Sequence, residues 1–171
     1  NDKLNLFTMR THFITNRNEI NDILKQCKTC FVAMSDNDVP YVLPLNFAMD
    51  GDTVILHSAQ HGRMWETIKK NPKICINWTL GEELAWQDEL VGCSYRVKSK
   101  SVIVEGTAEF VDDFEQKEVI VKKFMTQYSE LPFKFNAPAI RNVGIILVKI
   151  EKLTAKEFGA KAVMPWMKSS S

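Results

Sequence analysis

Between His57 and Arg63 the chain reads His57-Ser58-Ala59-Gln60-His61-Gly62-Arg63. An apolar strand-like run precedes this segment, and a short helical pattern follows it from Gly62 to a stop at Asn71-Pro72. A helix start leaves backbone N–H groups without acceptors and carries the positive end of the helix dipole. Gly62 lets the backbone approach a ligand, and Arg63 adds a fork of donors matched to phosphate. The segment is a candidate anion cradle. An ordinary strand–loop–helix junction with a solvated arginine has the same composition, and these residues alone do not separate the two. His57 is the candidate for donating a proton or hydrogen bond to a reducible group. A strand-end histidine that only lines a pocket is the competing reading. His12 and His61 have no such context and read as surface residues, and no Ser-His-Asp or paired-carboxylate arrangement can be argued from spacing.

Other features exclude whole classes. The 171 residues suit one domain, 1–171, with a core over about 16–153 and a C-terminal tail over 154–171. Lys and Arg number 22 against 21 Asp and Glu, a formal charge of +1. No global charge therefore attracts nucleic acid or an anionic membrane, and any anion site must be local. No apolar run approaches the ~20 residues that cross a bilayer. The N-terminus lacks the basic-then-apolar order of a signal peptide. The chain does not begin with Met, so a trimmed address signal stays open. Cys27, Cys30, Cys75 and Cys93 are too few for a disulfide scaffold and fit a reducing cytoplasm. Cys27 and Cys30 form a C-x-x-C, but no second pair of ligands follows for zinc. The pair falls where a helix ends, not at the N-terminal end that activates a redox thiol. Two small buried hydrophobes is the better reading, and no metal site is expected.

These residues must be positioned by the surrounding elements. Asn16 and Glu19 read as a capping box, with Ile20, Ile23, Leu24 and Cys27 at helical spacing behind it. Thr29–Ser35 is a strand and Asp36-Asn37-Asp38 a polar turn. Tyr41–Met49 is the next strand; Pro44 inside it requires a bulge or a free side. Asp50-Gly51 is a hairpin signal leading to Thr53–His57. Lys73–Thr79 and Tyr95–Val111 are further strands, the latter bent at Gly106. Gly81–Val91 shows no clear period. Asp113 and Gln116 start a helix whose apolar face is Val119, Ile120, Phe124 and Tyr128. Its polar side carries Glu118 and Lys122, an i,i+4 pair on a solvated face. Leu131–Pro138 is a loop and Val143–Leu153 the last clear strand. Ser169–Ser171 reads as a frayed end. Six strands joined by hairpins, with three flanking helices, predict an α+β, mainly β protein whose antiparallel sheet curls into a barrel.

The order of pieces carries more information than any one of them. Pro40-Tyr41-Val42-Leu43-Pro44-Leu45-Asn46-Phe47, then His57-Ser58-Ala59, Gly62-Arg63, Asn71-Pro72, and Ser101-Val102 with Gly106 recur in one arrangement. In this the chain resembles the flavin-binding split-barrel superfamily of pyridoxamine 5′-phosphate oxidase-like proteins, and within it the 5-nitroimidazole-resistance branch. The resemblance implies a six-stranded split barrel and a homodimer with FMN at the subunit interface, FAD being the alternative. It implies cofactor contacts from Val42, Leu43, Pro44, Leu45 and Asn46 along the ring. It also implies contacts from His57, Ser58, Ala59, Gly62, Arg63 and Met64 at the loop, and from Lys100 and Ser101 on a neighbouring strand. Trp78 is expected near the cofactor or inside the barrel. The position after the loop arginine is commonly Lys in such proteins and here is Met64, so Arg63, with Lys100, must supply the charge.

The activity implied is that of a flavin-dependent oxidoreductase acting on a small molecule, such as a nitroaromatic compound, with His57 as the catalytic residue. A flavin- or haem-binding protein without catalysis is the alternative. Pyridoxamine 5′-phosphate oxidase activity is a further one, although Lys156, Lys161 and Lys168 near the chain end do not make the arginine-rich grip that it needs.

Overall fold

A computed structural model describes residues 10–160 of the chain. Its strands are β1 (Arg10–Phe13), β2 (Cys30–Asp36), β3 (Val39–Leu45), β4 (Phe47–Asp50), β5 (Thr53–Ala59), β6 (Lys73–Ala85), β7 (Arg96–Val111) and β8 (Val143–Ala160). Its helices are α1 (Arg17–Gln26), α2 (Arg63–Lys70), α3 (Phe114–Met125) and α4 (Ala137–Asn142). All strand pairings are antiparallel, in the order β3-β2-β6-β7-β8-β5-β4, with β1 added on β8. This is the expected mainly β split barrel with flanking helices, but with eight strands, not six. β1 has no counterpart in the sequence reading, and the expected strand Tyr41–Met49 divides at Asn46 into β3 and β4.

The division at Asn46 closes the barrel. The segment from Val39 to Asp50 pairs with β2 over its first half and with β5 over its second. Pro40 and Pro44 lie opposite Ser35 and Phe31. Proline has no N–H to exchange, so these are the non-bonded pairs of the ladder. Tyr41, Leu43 and Leu45 therefore bond to β2. Pro40, Val42 and Pro44 turn their backbone groups to the other side, where no strand among the described residues pairs with β3.

Alternation sends Cys30, Val32, Met34, Val54, Leu56, Ile74, Ile76, Trp78, Val102, Val104, Ile146 and Val148 into one core. Residues of opposite parity, Ile55 and Ile145, join Ala48, Val111 and Phe124 in a second cluster under α3. Asn16 caps α1 by accepting from the amides of Asn18 and Glu19. The Glu19 carboxylate does not complete a capping box; it accepts instead from Lys100 Nζ at 2.7 Å. The expected Glu118–Lys122 pair forms at 2.7 Å. Cys27 and Cys30 are both buried, and burial pushes the Cys30 thiol up to about 12. Both thiols pack as small buried side chains, with Cys27 Sγ facing the Thr79 carbonyl and Cys30 Sγ the Leu45 carbonyl.

Three boundaries differ from the sequence reading. The strand beginning at Lys73 continues to Ala85, slipping register between Leu80 and Glu83 around Gly81 at φ +73°. The expected loop Leu131–Pro138 leads into α4, capped by Asn136 Oδ1 on the Ala139 amide. The expected end of the core at 153 falls inside β8, which runs on to Ala160. Lys161, Lys168 and Ser169–Ser171 lie outside the described residues. Among the described residues no helix is long and apolar enough to cross a membrane.

The bend expected at Gly106 is a register shift between Glu105 and Gly106. A Cβ there would lie 2.1 Å from the Lys149 carbonyl oxygen, so β7 and β8 approach as only glycine permits. Gly106→Ala is expected to lower the unfolding free energy by about 2–3 kcal/mol. Urea denaturation measures this, and a midpoint equal to wild type would show that the β7–β8 contact gives way at little cost.

Candidate functional site

β5 ends at Ala59, and the chain turns through Gln60, His61 and Gly62 into α2. Gln60 fastens the turn, its amide donating to the carbonyls of Arg141 (2.6 Å) and Val143 (3.1 Å). Gly62 has φ +104°, and a Cβ there would meet nothing within 4 Å. Glycine is thus required by the backbone conformation, and the surface above it is open. Gly62 supplies no side chain to cap α2, which leaves the first-turn amides for solvent or a ligand.

Arg63, the first residue of α2, lays its guanidinium over the Tyr41 ring, 4.2 Å from the centroid. It is exposed, and among the described residues no carboxylate pairs with it. Its donors remain free, while the stacking fixes its plane. This contact joins the helix start to β3. There the unpaired side offers three carbonyls, those of Pro40, Val42 and Pro44, and one amide, that of Val42. Leu43 and Leu45 turn inward against the core, while Val42, Pro44 and Asn46 are exposed. Tyr41 is the residue here that the sequence candidates lack. Its signal is alternation: it shares a strand face with Leu43 and Leu45 but carries an aromatic ring near the strand's start.

Several candidates are held in ways that composition does not reveal. Ser58 Oγ accepts from the Trp65 indole at 2.8 Å and donates to the Ala59 carbonyl at 2.8 Å. Its single proton is thus spent within the chain. Trp65 stacks on Phe110 at 4.1 Å and lies so close to Gly144 that a Cβ there would sit 2.3 Å from the ring. Ala59, paired with Val143, is exposed beside the turn. Met64 is only 6% exposed and belongs to the barrel core with Trp65 and Ile68. A cofactor contact from its side chain is therefore not available in this arrangement. The position that commonly carries a cation points inward.

His57 leaves the opposite face of β5 from Ser58. It meets Phe124 edge-on at 4.6 Å and lines a cavity of about 200 Å³ with Val121, Met125, Phe135, Ile140 and Ile145. Burial lowers its pKa below the ordinary 6.5, favouring the neutral imidazole. His12 and His61 are exposed, as expected. Lys100 is tied to Glu19, which raises its pKa, and Ser101 Oγ accepts from Asn77 Nδ2 at 2.8 Å. Both lie on β7, three strands from β3, roughly 14 Å along the sheet. One chain brings Arg63, Gly62 and β3 together. Trp78 is fully buried inside the barrel, edge-on to Phe47 at 5.1 Å, and its indole N–H has no partner among the described residues.

Residues 16–157 match the family model described as pyridoxamine 5′-phosphate oxidase. No curated protein matches the chain. Among solved structures, a candidate 5-nitroimidazole antibiotic resistance protein from Bacteroides thetaiotaomicron is 35% identical, with a TM-score of 0.79 over 89% of this chain and 90% of that one. The flavocytochrome Anf3 from Azotobacter vinelandii is 20% identical, with a TM-score of 0.73 over 93% and 76%. A protein from Mycobacterium smegmatis that binds FAD and haem is 13% identical, with a TM-score of 0.74 over 91% and 77%. The last two show likeness of fold alone. The chain belongs to the pyridoxamine 5′-phosphate oxidase family of split-barrel proteins and within it is similar to the 5-nitroimidazole-resistance branch.

Proposed function

We propose that the chain is a homodimeric flavoprotein that binds FMN and reduces a small molecule. The observation that carries this reading is the stacking of Arg63 on Tyr41, which sets the open start of α2 against the unpaired side of β3. Arg63, Gly62 and the first-turn amides of α2 would hold the phosphate, and the backbone of Val42–Asn46 would meet the polar rim of the ring. When bound, the flavin would pass electrons from a donor such as a reduced nicotinamide to the acceptor. The name of the Bacteroides relative suggests a nitroaromatic acceptor. His57 would act as a neutral hydrogen-bond donor to that acceptor, since its burial disfavours the charged form. The exposure of Gly62 and Arg63 leaves space beyond the phosphate for FAD as the alternative. The four free thiols suit a reducing cytoplasm.

A second copy supplies what one chain lacks. Phe31, Asn77, Ser101, Val97 and Leu84 share one face of the sheet through the β2–β6–β7 pairings. Phe31 is 45%, Val97 51% and Leu84 58% exposed there. That face would meet its copy and carry Ser101 to the partner's β3, whereas Lys100 turns to the opposite face, where Glu19 of α1 holds it. Val97→Asp is expected to give a monomer that loses flavin with the dimer; sedimentation shows this, and a stable dimer would place the interface elsewhere.

Purified protein supplied with FMN should keep flavin absorbance through gel filtration, and a colourless chain that takes up neither FMN nor FAD would sink the reading. Arg63→Ala is expected to raise the flavin dissociation constant about 10- to 100-fold, the range for a hydrogen bond to a charged group. An unchanged constant would remove Arg63 from the phosphate site.

His57 carries its own pH signature. Below 6.5 the unfolded chain takes up a proton at this histidine while the folded chain resists it, so folding stability rises with pH through that window. The contribution is complete above 6.5 and is lost as pH falls through the lowered folded value. Urea midpoints compared between about pH 5.5 and 7.5 should show a shallower rise for His57→Gln than for wild type. Equal slopes would mean that His57 titrates as it does in water.

A further inference from the structure

We propose that Tyr128 is a positioning residue for the cofactor strand. Its hydroxyl replaces the ladder partner that the start of β4 lacks, and so holds the Asn46 corner on which β3 depends. This rests on the flavin reading above. Asp50 and Thr53 close a two-residue hairpin and form its bonded pair. Counting back, Phe47 faces Leu56 at a non-bonded position and turns its N–H and C=O away from β5. On that side β2 has run out, because its first residue, Cys30, pairs with Leu45. The phenol fills the gap. Tyr128 Oη accepts from the Phe47 amide at 2.8 Å and donates to the Phe47 carbonyl at 2.6 Å. The Lys28 carbonyl, just before β2, lies 3.2 Å from the same oxygen. One hydroxyl thus makes both bonds that a facing strand residue would make.

The corner is set between two rigid supports. The Tyr128 ring packs on Phe124 at 5.5 Å, and Phe124 meets His57. Neighbouring Gln127 reaches the Leu24 carbonyl of α1 at 3.3 Å. Burial raises the pKa of the phenol, against hydrogen bonds from the Phe47 backbone and the Asn46 side chain, so the hydroxyl keeps its proton at neutral pH. Without the hydroxyl, two backbone groups at the end of the cofactor strand lose their partner. Asn46 is then free to shift, and with it the spacing of the Val42 and Pro44 carbonyls that would face the ring.

Tyr128→Phe removes the hydroxyl and keeps the ring. The dissociation constants of FMN and FAD should rise about tenfold, the visible circular dichroism of the bound flavin should change, and the Phe47 amide should exchange with deuterium at least about tenfold faster. Ile76→Val loosens the barrel core at β6, away from the Tyr128 corner; it should lower the melting temperature and leave flavin affinity within about twofold. In wild type the Phe47 amide should be protected although no strand pairs with it, and fast exchange there overturns the proposal without any variant. Flavin affinity of Tyr128→Phe within about twofold of wild type also overturns it. A wild-type chain that takes up neither flavin removes the flavin reading and the positioning role with it. Phe47 exchange then separates the two failures, because the hydroxyl bonds would still protect that amide.

Discussion

Residues Val39–Asp50 form nearly one strand, yet they bond to β2 over one half and to β5 over the other. Each half has an unpaired side, and backbone groups cannot stay buried there without partners. The chain resolves this differently at the two halves. On β3, Pro40 and Pro44 remove two of the donors that would face the gap and leave Val42 as the single amide among three carbonyls. Such a side is a poor template for another strand, because a ladder needs donors and acceptors in alternation. It suits a ligand with its own donors. On β4, the Tyr128 hydroxyl occupies the vacant position, so that half stays closed.

The same alternation decides which side chains reach the gap. A strand turns neighbours to opposite faces, so His57 and Ser58 cannot both face one ligand surface without local distortion. The structure gives Ser58 to Trp65 and His57 to the cluster under α3. α2 imposes a similar choice. Its buried face is Met64, Trp65, Thr67 and Ile68, and its first residue, Arg63, stays outside. Met64 is thus apolar because it faces the core. Charge at the helix start then depends on Arg63, whose plane is held by an uncharged ring. Stacking spends none of the guanidinium's hydrogen-bond donors, whereas a carboxylate partner would have competed with an incoming phosphate.

Much of this was legible in the sequence, for identifiable reasons. Pro44 announced a strand with a free side, Gly106 a close approach, and Asn71-Pro72 the end of α2. The place of Cys27 and Cys30 at a helix end anticipates their burial. What was not legible depends on relations between distant residues. Nothing local at Asn46 says that the strand changes partners there; this follows from the lengths of β2 and β5. The inward phase of Met64 follows from its place with Trp65 and Ile68 on one face of α2, which a reading of charge alone at that position does not reveal. Glu19 fitted a capping box on local grounds until Lys100, 81 positions away, competed for its carboxylate. α4 was hidden because Pro138 near its start also suits a loop.

The separation of Arg63 from Ser101 bears on why a second copy belongs in the reading. β7 pairs continuously with β6 and β8, and its close contact at Gly106 fixes it against Lys149. It cannot slide toward β3 without breaking two ladders. In the proposed dimer Ser101 would serve a ligand on the partner's β3, across the face where Phe31, Val97 and Leu84 are exposed. The helices pack elsewhere, α3 over β4 and the Ile55–Ile145 cluster and α1 against β6 and β7 on the side of Lys100. Phe31, Val97 and Leu84 are apolar side chains on a face that also carries Asn77, Ser101, Glu105 and Lys152, and a covering layer would bury them. In the proposed dimer, two copies placed face to face would bury those side chains and bring Ser101 of each toward the other's β3, so that burial and completion of the site would be the same event.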